Sequence, residues 1–446
     1  MLTFAPDMKS MNKEVLRLAV PSILANITVP LVGIVDVAIA GHISDASAIG
    51  GIAIGTMLFD LLYWNFGFLR IGTGGMTAQA FGRGDKEGAM RIFTQSATIA
   101  LGAAVLIWLI QWFFITLVLG LVPCSPEVAS FARKYYFVRI WAAPATLLLM
   151  VFKGWFIGMQ NTVAPMVCDL VVNGVNMAAS WLLAVNTPLG ALGVAYGTLI
   201  AQFTGLLVAV GLLLGRYRKM LRYIRLRASL RWKQMKRLFV LNGNLFVRSL
   251  CFMVVYVGFT SLTSRNGDGP LAIGTIMMKV FMLFSYFIDG FAYAGEALTG
   301  RFVGAQDRQS LRKAMRILFF WTIGVGIVCT AIYALTGEGM VRLMTSDVSV
   351  VEGSRPFLPW MVAMPLISCL AFMWDGVFVG AVAGRQIRDA MIGAAVGFVL
   401  SYLLLRRQLG VQAVYVAYFV HLLLRTVWLT AAWPKTVRRC FAVEEE

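Results

Sequence analysis

Charge is scarce in this chain. Only 13% of its 446 residues are Asp, Glu, Lys or Arg, while 59% are apolar; soluble domains carry about 25% charged residues. A body that apolar has too little polar surface to be covered in water. A large soluble protein, a secreted disulfide scaffold and a disordered chain are therefore excluded. Histidine is nearly absent too: His42 and His421 are the only two and lie far apart in sequence, too few to build the clustered site of an intramembrane enzyme. No G-x-x-x-x-G-K-[ST] loop occurs, so ATP is not the direct energy source. The six cysteines are scattered without a C-x-x-C pair and read as small packing residues. The opening MLTFAPDMKSMN lacks a signal peptide's apolar stretch and cleavage site, so the first span is expected to stay as the membrane signal. No cofactor or metal is expected.

What the chain has instead is long uncharged runs. A helix crossing about 30 Å of hydrocarbon needs about 20 mostly apolar residues. Ile92 to Pro126 carries no charge, nor does Leu170 to Gly215, with Asn186-Thr187-Pro188-Leu189-Gly190 as a turn inside the latter. The expectation is an all-α polytopic membrane protein of twelve spans, near 18–41, 48–76, 92–122, 135–158, 164–185, 191–215, 238–262, 271–299, 315–336, 356–382, 390–405 and 411–433. The 39 Lys and Arg against 21 Asp and Glu give a net charge of +18. The basic residues sit between apolar runs, so they are read as cytoplasmic loop charge and not as a nucleic-acid surface. Twenty-five of the 39 fall in the N-terminus, every second loop and the C-terminal tail, and seven in the other loops. That bias puts both termini in the cytoplasm, with Arg406 and Arg407 against the trend. Ten of the 25 lie between Arg216 and Arg237, a stretch without acid, read as a basic cytoplasmic linker (216–237) and hinge between an N-lobe (1–215) and a C-lobe (238–446). An amphipathic helix on anionic lipid is a second reading of that segment.

The halves are copies. Ala53-Ile54-Gly55-Thr56 recurs as Ala272-Ile273-Gly274-Thr275, a shift of 219. Gly82-x-x-Asp85 recurs as Gly304-x-x-Asp307, and Lys153-Gly154-Trp155-Phe156-Ile157-Gly158 as Asp375-Gly376-Val377-Phe378-Val379-Gly380, both shifted by 222. Six spans per copy is even, so both copies enter the membrane the same way and an axis along its normal should relate them, as in transporters that work by alternating access.

Acids within the spans are costly unless they face a partner or water. These are Asp36, Asp60, Asp169, Asp289, Glu296 and Asp375; bases at depth include Arg70, Lys153, Arg248 and Lys279. Arg139, Asp169 and Arg425 are expected to snorkel from span ends. Asp36 stands out: it follows an uncharged run from Ile23 to Val35, in a helix holding Pro21 and Pro30. It is a candidate to load and release a proton, changing the bend of the first helix, with Pro21 as the kink. At the shift of 219, Asp60 aligns with Lys279 and Arg70 with Asp289. Each pair has opposite signs, which suggests charge pairs bridging the lobes.

With these residues in view, the sequence resembles the multidrug and toxic compound extrusion (MATE) family, in particular its DinF-like branch, from Leu16 to about Trp433. Carrying the resemblance are Pro21-x8-Pro30, Val35-Asp36-x4-Gly41, Leu69-Arg70, Thr77-Ala78-Gln79-Ala80-Phe81-Gly82 and Gly158-x-Gln160-Asn161-Thr162-x-Ala164-Pro165-Met166. Ile288-Asp289-Gly290-Phe291-Ala292-Tyr293-Ala294-x-Glu296 and Asp375-Gly376-x-Phe378-x-Gly380 complete it. The resemblance implies two six-helix lobes in a bacterial inner membrane and export of drug-like small molecules, cationic or amphipathic, in exchange for H⁺ or Na⁺, by a monomer. It places the coupling carboxylates on Asp36 and Asp375, the kink on Pro21, and a substrate cleft around Asn173, Asn176, Asp289 and Glu296. The usual fifth-span carboxylate falls on Ser180. A seventh-span acid of Na⁺-coupled relatives falls on Arg248, which would repel Na⁺ and neutralise Asp375 or Asp289. Both departures favour H⁺, with Na⁺ as the alternative. The remaining rival is a lipid-linked oligosaccharide flippase, which would want a strongly basic cavity where these spans hold both signs.

Overall fold

The computed structural model describes residues 8–43, 46–122 and 124–442, and they are almost wholly helical, without strands among the described residues. The helices are α1 (Met8–Ile43), α2 (Ala46–Trp64), α3 (Phe68–Gly82), α4 (Lys86–Leu121), α5 (Pro126–Arg139), α6 (Ala143–Gly158), α7 (Val163–Asn186) and α8 (Gly193–Arg216). There follow α9 (Leu226–Ser229), α10 (Trp232–Ser264), α11 (Asp268–Gly304), α12 (Arg308–Met344), α13 (Val348–Ser354), α14 (Leu358–Gly380), α15 (Gly384–Leu409) and α16 (Gln412–Phe441). Among the described residues, twelve helical segments are long and apolar enough to cross a membrane, and each overlaps one of the twelve expected spans. Residues such as Leu109, Phe113, Leu207, Phe320, Leu335 and Leu404 are exposed, as the hydrocarbon-facing surface of such a bundle must be.

Two expected spans are broken. The second divides at Asn65–Gly67, between α2 and α3, where the Asn65 amide donates back to the Leu61 carbonyl (2.7 Å). The fourth divides at a short 3₁₀ turn, Ile140–Ala142, after which Pro144 sits in the first turn of α6, where its missing N–H has no partner to lose. Pro21 and Pro30, by contrast, lie within a continuous α1; the Ser22 hydroxyl donates to Leu18 O (3.3 Å) beside the gap that Pro21 leaves in the backbone ladder.

The repeat is written in the backbone. After α3, Arg83, Gly84 and Asp85 N–H donate to the carbonyls of Gln79, Phe81 and Ala80; after α11, Ala305, Gln306 and Asp307 donate to Arg301, Val303 and Phe302. Every member is shifted by 222. Gly84 and Gln306 both take positive φ (71° and 56°), and the Asp85 and Asp307 carboxylates cap the next helix at Gly88 N (2.7 Å) and Ser310 N (2.9 Å). The turn after α6 repeats after α14 in the same way, with Gln160 and Val382 at φ 59° and 55°.

The shift also fixes two close helix contacts. A Cβ on Gly154 would collide with the Arg70 carbonyl, and one on Gly376 with the Ala292 carbonyl. Gly158 against Gly74 O and Gly380 against Glu296 O form the next pair of equivalents. Past the α2–α3 break the register is therefore 222, and Arg70 corresponds to Ala292. The expected equivalence of Arg70 with Asp289 does not hold, because the second copy has three more residues between the two motifs. Gly154→Ala or Gly376→Ala should force backbone from backbone and lower the melting temperature in detergent, at a cost of about 1–3 kcal/mol or more. Gly102→Ala, with nothing within 4 Å of its Cβ, should not.

By contacts the chain forms two units, one of Met1–Ile23 with Phe239–Glu446 and one of Leu24–Leu238. The lobes expected at 1–215 and 238–446 differ from these units in that α1 changes unit just past Pro21 and in where the linker falls. Its first part is fixed to the second half of the chain by Glu14–Arg301 and by Trp321 Nε1 donating to Asn12 Oδ1 (2.6 Å), with Gly290 against the Ala19 carbonyl. The basic linker belongs to the Leu24–Leu238 unit. It is not one amphipathic helix but a 3₁₀ turn (Arg218–Tyr223), the four-residue α9 and the first turns of α10, held where Gln95 Nε2 donates to Ser229 O (2.8 Å).

Candidate functional site

In the unit Leu24–Leu238, three charges from three helices share one environment. Arg139, at the end of α5, acts electrostatically on Asp36 of α1 and on Asp60 of α2. It is held by a hydrogen bond to the Tyr135 hydroxyl (3.1 Å) and lies 4.7 Å from the Phe59 ring centroid. Neither acid is in salt-bridge contact with it. Asp36 Oδ1 is buried and has no hydrogen-bond partner among the described residues. The cluster carries two carboxylates and one guanidinium, so a single proton brings it to neutrality. Arg139 was expected to snorkel; the span runs from Pro126 to Gly158, which puts Arg139 about 20 Å along it from the nearer end, and its guanidinium is taken up by Tyr135 and the Phe59 ring instead.

The same part of α1 is tied to α7. Asn173 Nδ2 donates to Thr28 Oγ1 (2.6 Å), and Thr28 donates in turn to Ala25 O (2.7 Å). Thr28 is eight residues, about 12 Å of helix, before Asp36. Asn176 is more withdrawn: it is 4% exposed and donates to Thr198 Oγ1 (2.9 Å) between α7 and α8, so it serves helix packing and does not line an open cleft. Ser180, at the position of the expected fifth-span carboxylate, is wholly buried against Gly197. Asp169 does not snorkel; it forms an ion pair with Lys153 of α6.

In the other unit, Asp375 of α14 is clasped from two sides. Arg248 of α10 and Arg425 of α16 both donate to its Oδ2, at 2.5 and 2.6 Å. The Arg425 side chain is 2% exposed and its guanidinium lies 5.8 Å from the Phe372 ring. The expected neutralisation of an acid by Arg248 falls on Asp375, but the second cation was not foreseen. Arg425 was expected to snorkel from the end of a span ending near 433; α16 runs on through Pro434 to Phe441, which leaves Arg425 sixteen residues from its end. Asp375 is thus no open coupling site. Two guanidiniums already neutralise it, and a mobile cation would meet net positive charge.

The remaining expected site residues divide by burial. Glu296 is 1% exposed in the tight contact of α11 with α14, which corrects its expected place in an open cleft. Asp289 of α11 and Arg70 of α3 are half-buried; Lys279 and Asp60 are exposed. Lys279 and Asp289 belong to one unit, Asp60 and Arg70 to the other, and Asp60 has Arg139 as a counter-charge within its own.

The comparisons with known proteins agree with this architecture. The family model described as MatE matches residues 21–182 and 245–404. The chain is 34% identical over 430 residues to DNA damage-inducible protein F of Escherichia coli (strain K12), covering 96% of this chain and 93% of that protein. To the probable multidrug resistance protein NorM of Thermotoga maritima it is 21% identical over 362 residues, 78% of this chain and 75% of that one. Among solved structures, those described as MATE in the straight and in the bent conformation each superpose with a TM-score of 0.85 at 19% identity. They cover 98% and 99% of this chain and 97% of each of theirs; at that identity the likeness speaks for the fold.

Proposed function

Because the chain belongs to the MatE family of multidrug and toxin extrusion transporters, we propose that it exports organic compounds, cationic or amphipathic, in exchange for protons, and that Asp36 carries the proton. The observation that carries this reading is the contrast between the two carboxylates expected to couple transport, Asp36 and Asp375. Asp375 is committed to two arginines, whereas Asp36 has a buried oxygen without a donor. A buried oxygen atom with no donor is an open acceptor position that a proton can fill.

The geometry supports a simple sequence. With Asp36 ionised, Arg139 is shared between two acids. Once Asp36 is protonated, Arg139 is left to Asp60, and the part of α1 beyond Pro21 loses its attraction to Arg139 while keeping Thr28–Asn173. Proton uptake thereby reaches the helix that changes unit at Ile23. A sodium ion would need five or six oxygen ligands in place of two carboxylates facing a guanidinium, which is why protons are preferred here. The Escherichia coli relative supports a bacterial inner membrane, and the distribution of Lys and Arg supports both termini on its cytoplasmic side.

The deciding measurement is uptake of a fluorescent organic cation into proteoliposomes under an imposed pH gradient or an imposed Na⁺ gradient. The pH gradient alone should drive accumulation. Accumulation driven by Na⁺ alone, with none from the pH gradient, would overturn the assignment.

A further inference from the structure

Where the start of α12 lies beside the end of α16, a cavity of about 330 Å³ has a basic rim and an apolar floor. Arg308, Arg312 and Arg316 recur every four residues and so form one stripe along α12, and Arg438 of α16 completes the rim. No acid lines the cavity. All four arginines are exposed, and none has a hydrogen bond or ion pair among the described residues. Elsewhere in this unit arginines find acids: Arg301 takes Glu14, Arg342 and Arg355 take Glu338, and Arg388 takes Asp389. The floor is formed by Met315 and Trp433 among others, and Trp433 is fixed by ring contacts with Trp374 (5.4 Å) and Phe378 (5.6 Å).

Depth decides what such a cavity would meet. α12 has 37 residues, about 55 Å at 1.5 Å per residue, against about 30 Å of hydrocarbon. Its first turns therefore stand in the headgroup layer, and the Lys and Arg distribution puts that end on the cytoplasmic side. A tryptophan at this level suits the same interface. Four guanidiniums above an apolar floor match a phosphate joined to acyl chains better than a free phosphate, which has no use for the floor, and they match the inner leaflet's anionic lipids in sign.

We propose that this cavity binds the phosphate headgroup of an anionic phospholipid of the cytoplasmic leaflet, with Arg312 and Arg316 as its principal ligands. The test uses the full chain in neutral detergent and follows the melting temperature on addition of short-chain phosphatidylglycerol, short-chain phosphatidylcholine or inorganic phosphate at equal ionic strength. Phosphatidylglycerol alone should raise it, as a ligand of the folded state does. In Arg312→Gln/Arg316→Gln the shift should need roughly thirty-fold more lipid, two arginines at about 1 kcal/mol each. Arg406→Gln/Arg407→Gln, which removes as much charge from the other side, should respond like the wild type. An equal response to phosphatidylcholine or to inorganic phosphate would overturn the proposal, as would a double variant that keeps the full shift. A chain lacking residues 443–446 should respond unchanged. A response that appears only on that deletion would mean the glutamates at 444–446 are the occupant, and would overturn it too.

Discussion

Asp36→Asn should abolish accumulation driven by a pH gradient, down to the level of protein-free vesicles, without unfolding the protein. Asparagine has nearly the same volume as aspartic acid and mimics its protonated form, so the packing of α1 is kept. What is lost is the change of charge. In the wild type the cluster of Asp36, Asp60 and Arg139 passes between −1 and neutral as one proton comes and goes; in Asp36→Asn it stays neutral, with Arg139 permanently on Asp60. Linkage gives a second readout. If substrate and proton compete through Asp36, substrate binding must release protons in proportion to the coupling between them. A pH dye in weak buffer should record that release from the wild type and none from Asp36→Asn, although the variant still binds. Asp36→Glu, which keeps the titratable group, should retain part of the transport. Asp60→Asn should be milder, since Asp60 is exposed. Gradient-driven accumulation by Asp36→Asn at the wild-type rate would sink the assignment.

Much of the architecture was legible in the residues because a bilayer demands so much of a sequence. Twelve apolar stretches were countable since each needs about 20 residues, and the repeat showed through glycines that permit backbone contact. Gly154 and Gly376 are legible for that reason: nothing larger fits against the carbonyls of Arg70 and Ala292. Charge partnerships were much less so. Arg425 and Arg139 look like residues near span ends when the spans are taken as 411–433 and 135–158. Both helices extend further, and both arginines are deep. The register of the repeat was read from a motif before the α2–α3 break, and the three extra residues of the second copy moved Arg70 from Asp289 to Ala292. In each case local composition was right and the misreading was of position along a helix, which only packing decides.

The clasp on Asp375 leads to an order of stabilities that a cation-coupling role would not produce. Two arginines donate to one carboxylate oxygen, so the cluster already carries one positive charge in excess. Asp375→Asn removes the only anion and leaves two guanidiniums facing each other, one of them 2% exposed. Removing one partner of a buried pair costs about 3–5 kcal/mol, and here two cations lose theirs at once, so a loss at the top of that range is expected, seen as a much lower melting temperature and poor yield. Arg425→Met instead leaves a neutral Arg248–Asp375 pair and fills the space with an unbranched apolar chain. Its cost should be close to that of one donor withdrawn from a buried acceptor, about 1–3 kcal/mol. The decisive comparison is the double variant Asp375→Asn/Arg425→Met, which should melt above Asp375→Asn alone because the repulsion is gone. A destabilised variant that gains stability from a second loss is the mark of an overcharged site. If Asp375→Asn melted like the wild type and merely lost its response to an ion gradient, the carboxylate would be a coupling site and the two arginines its gate.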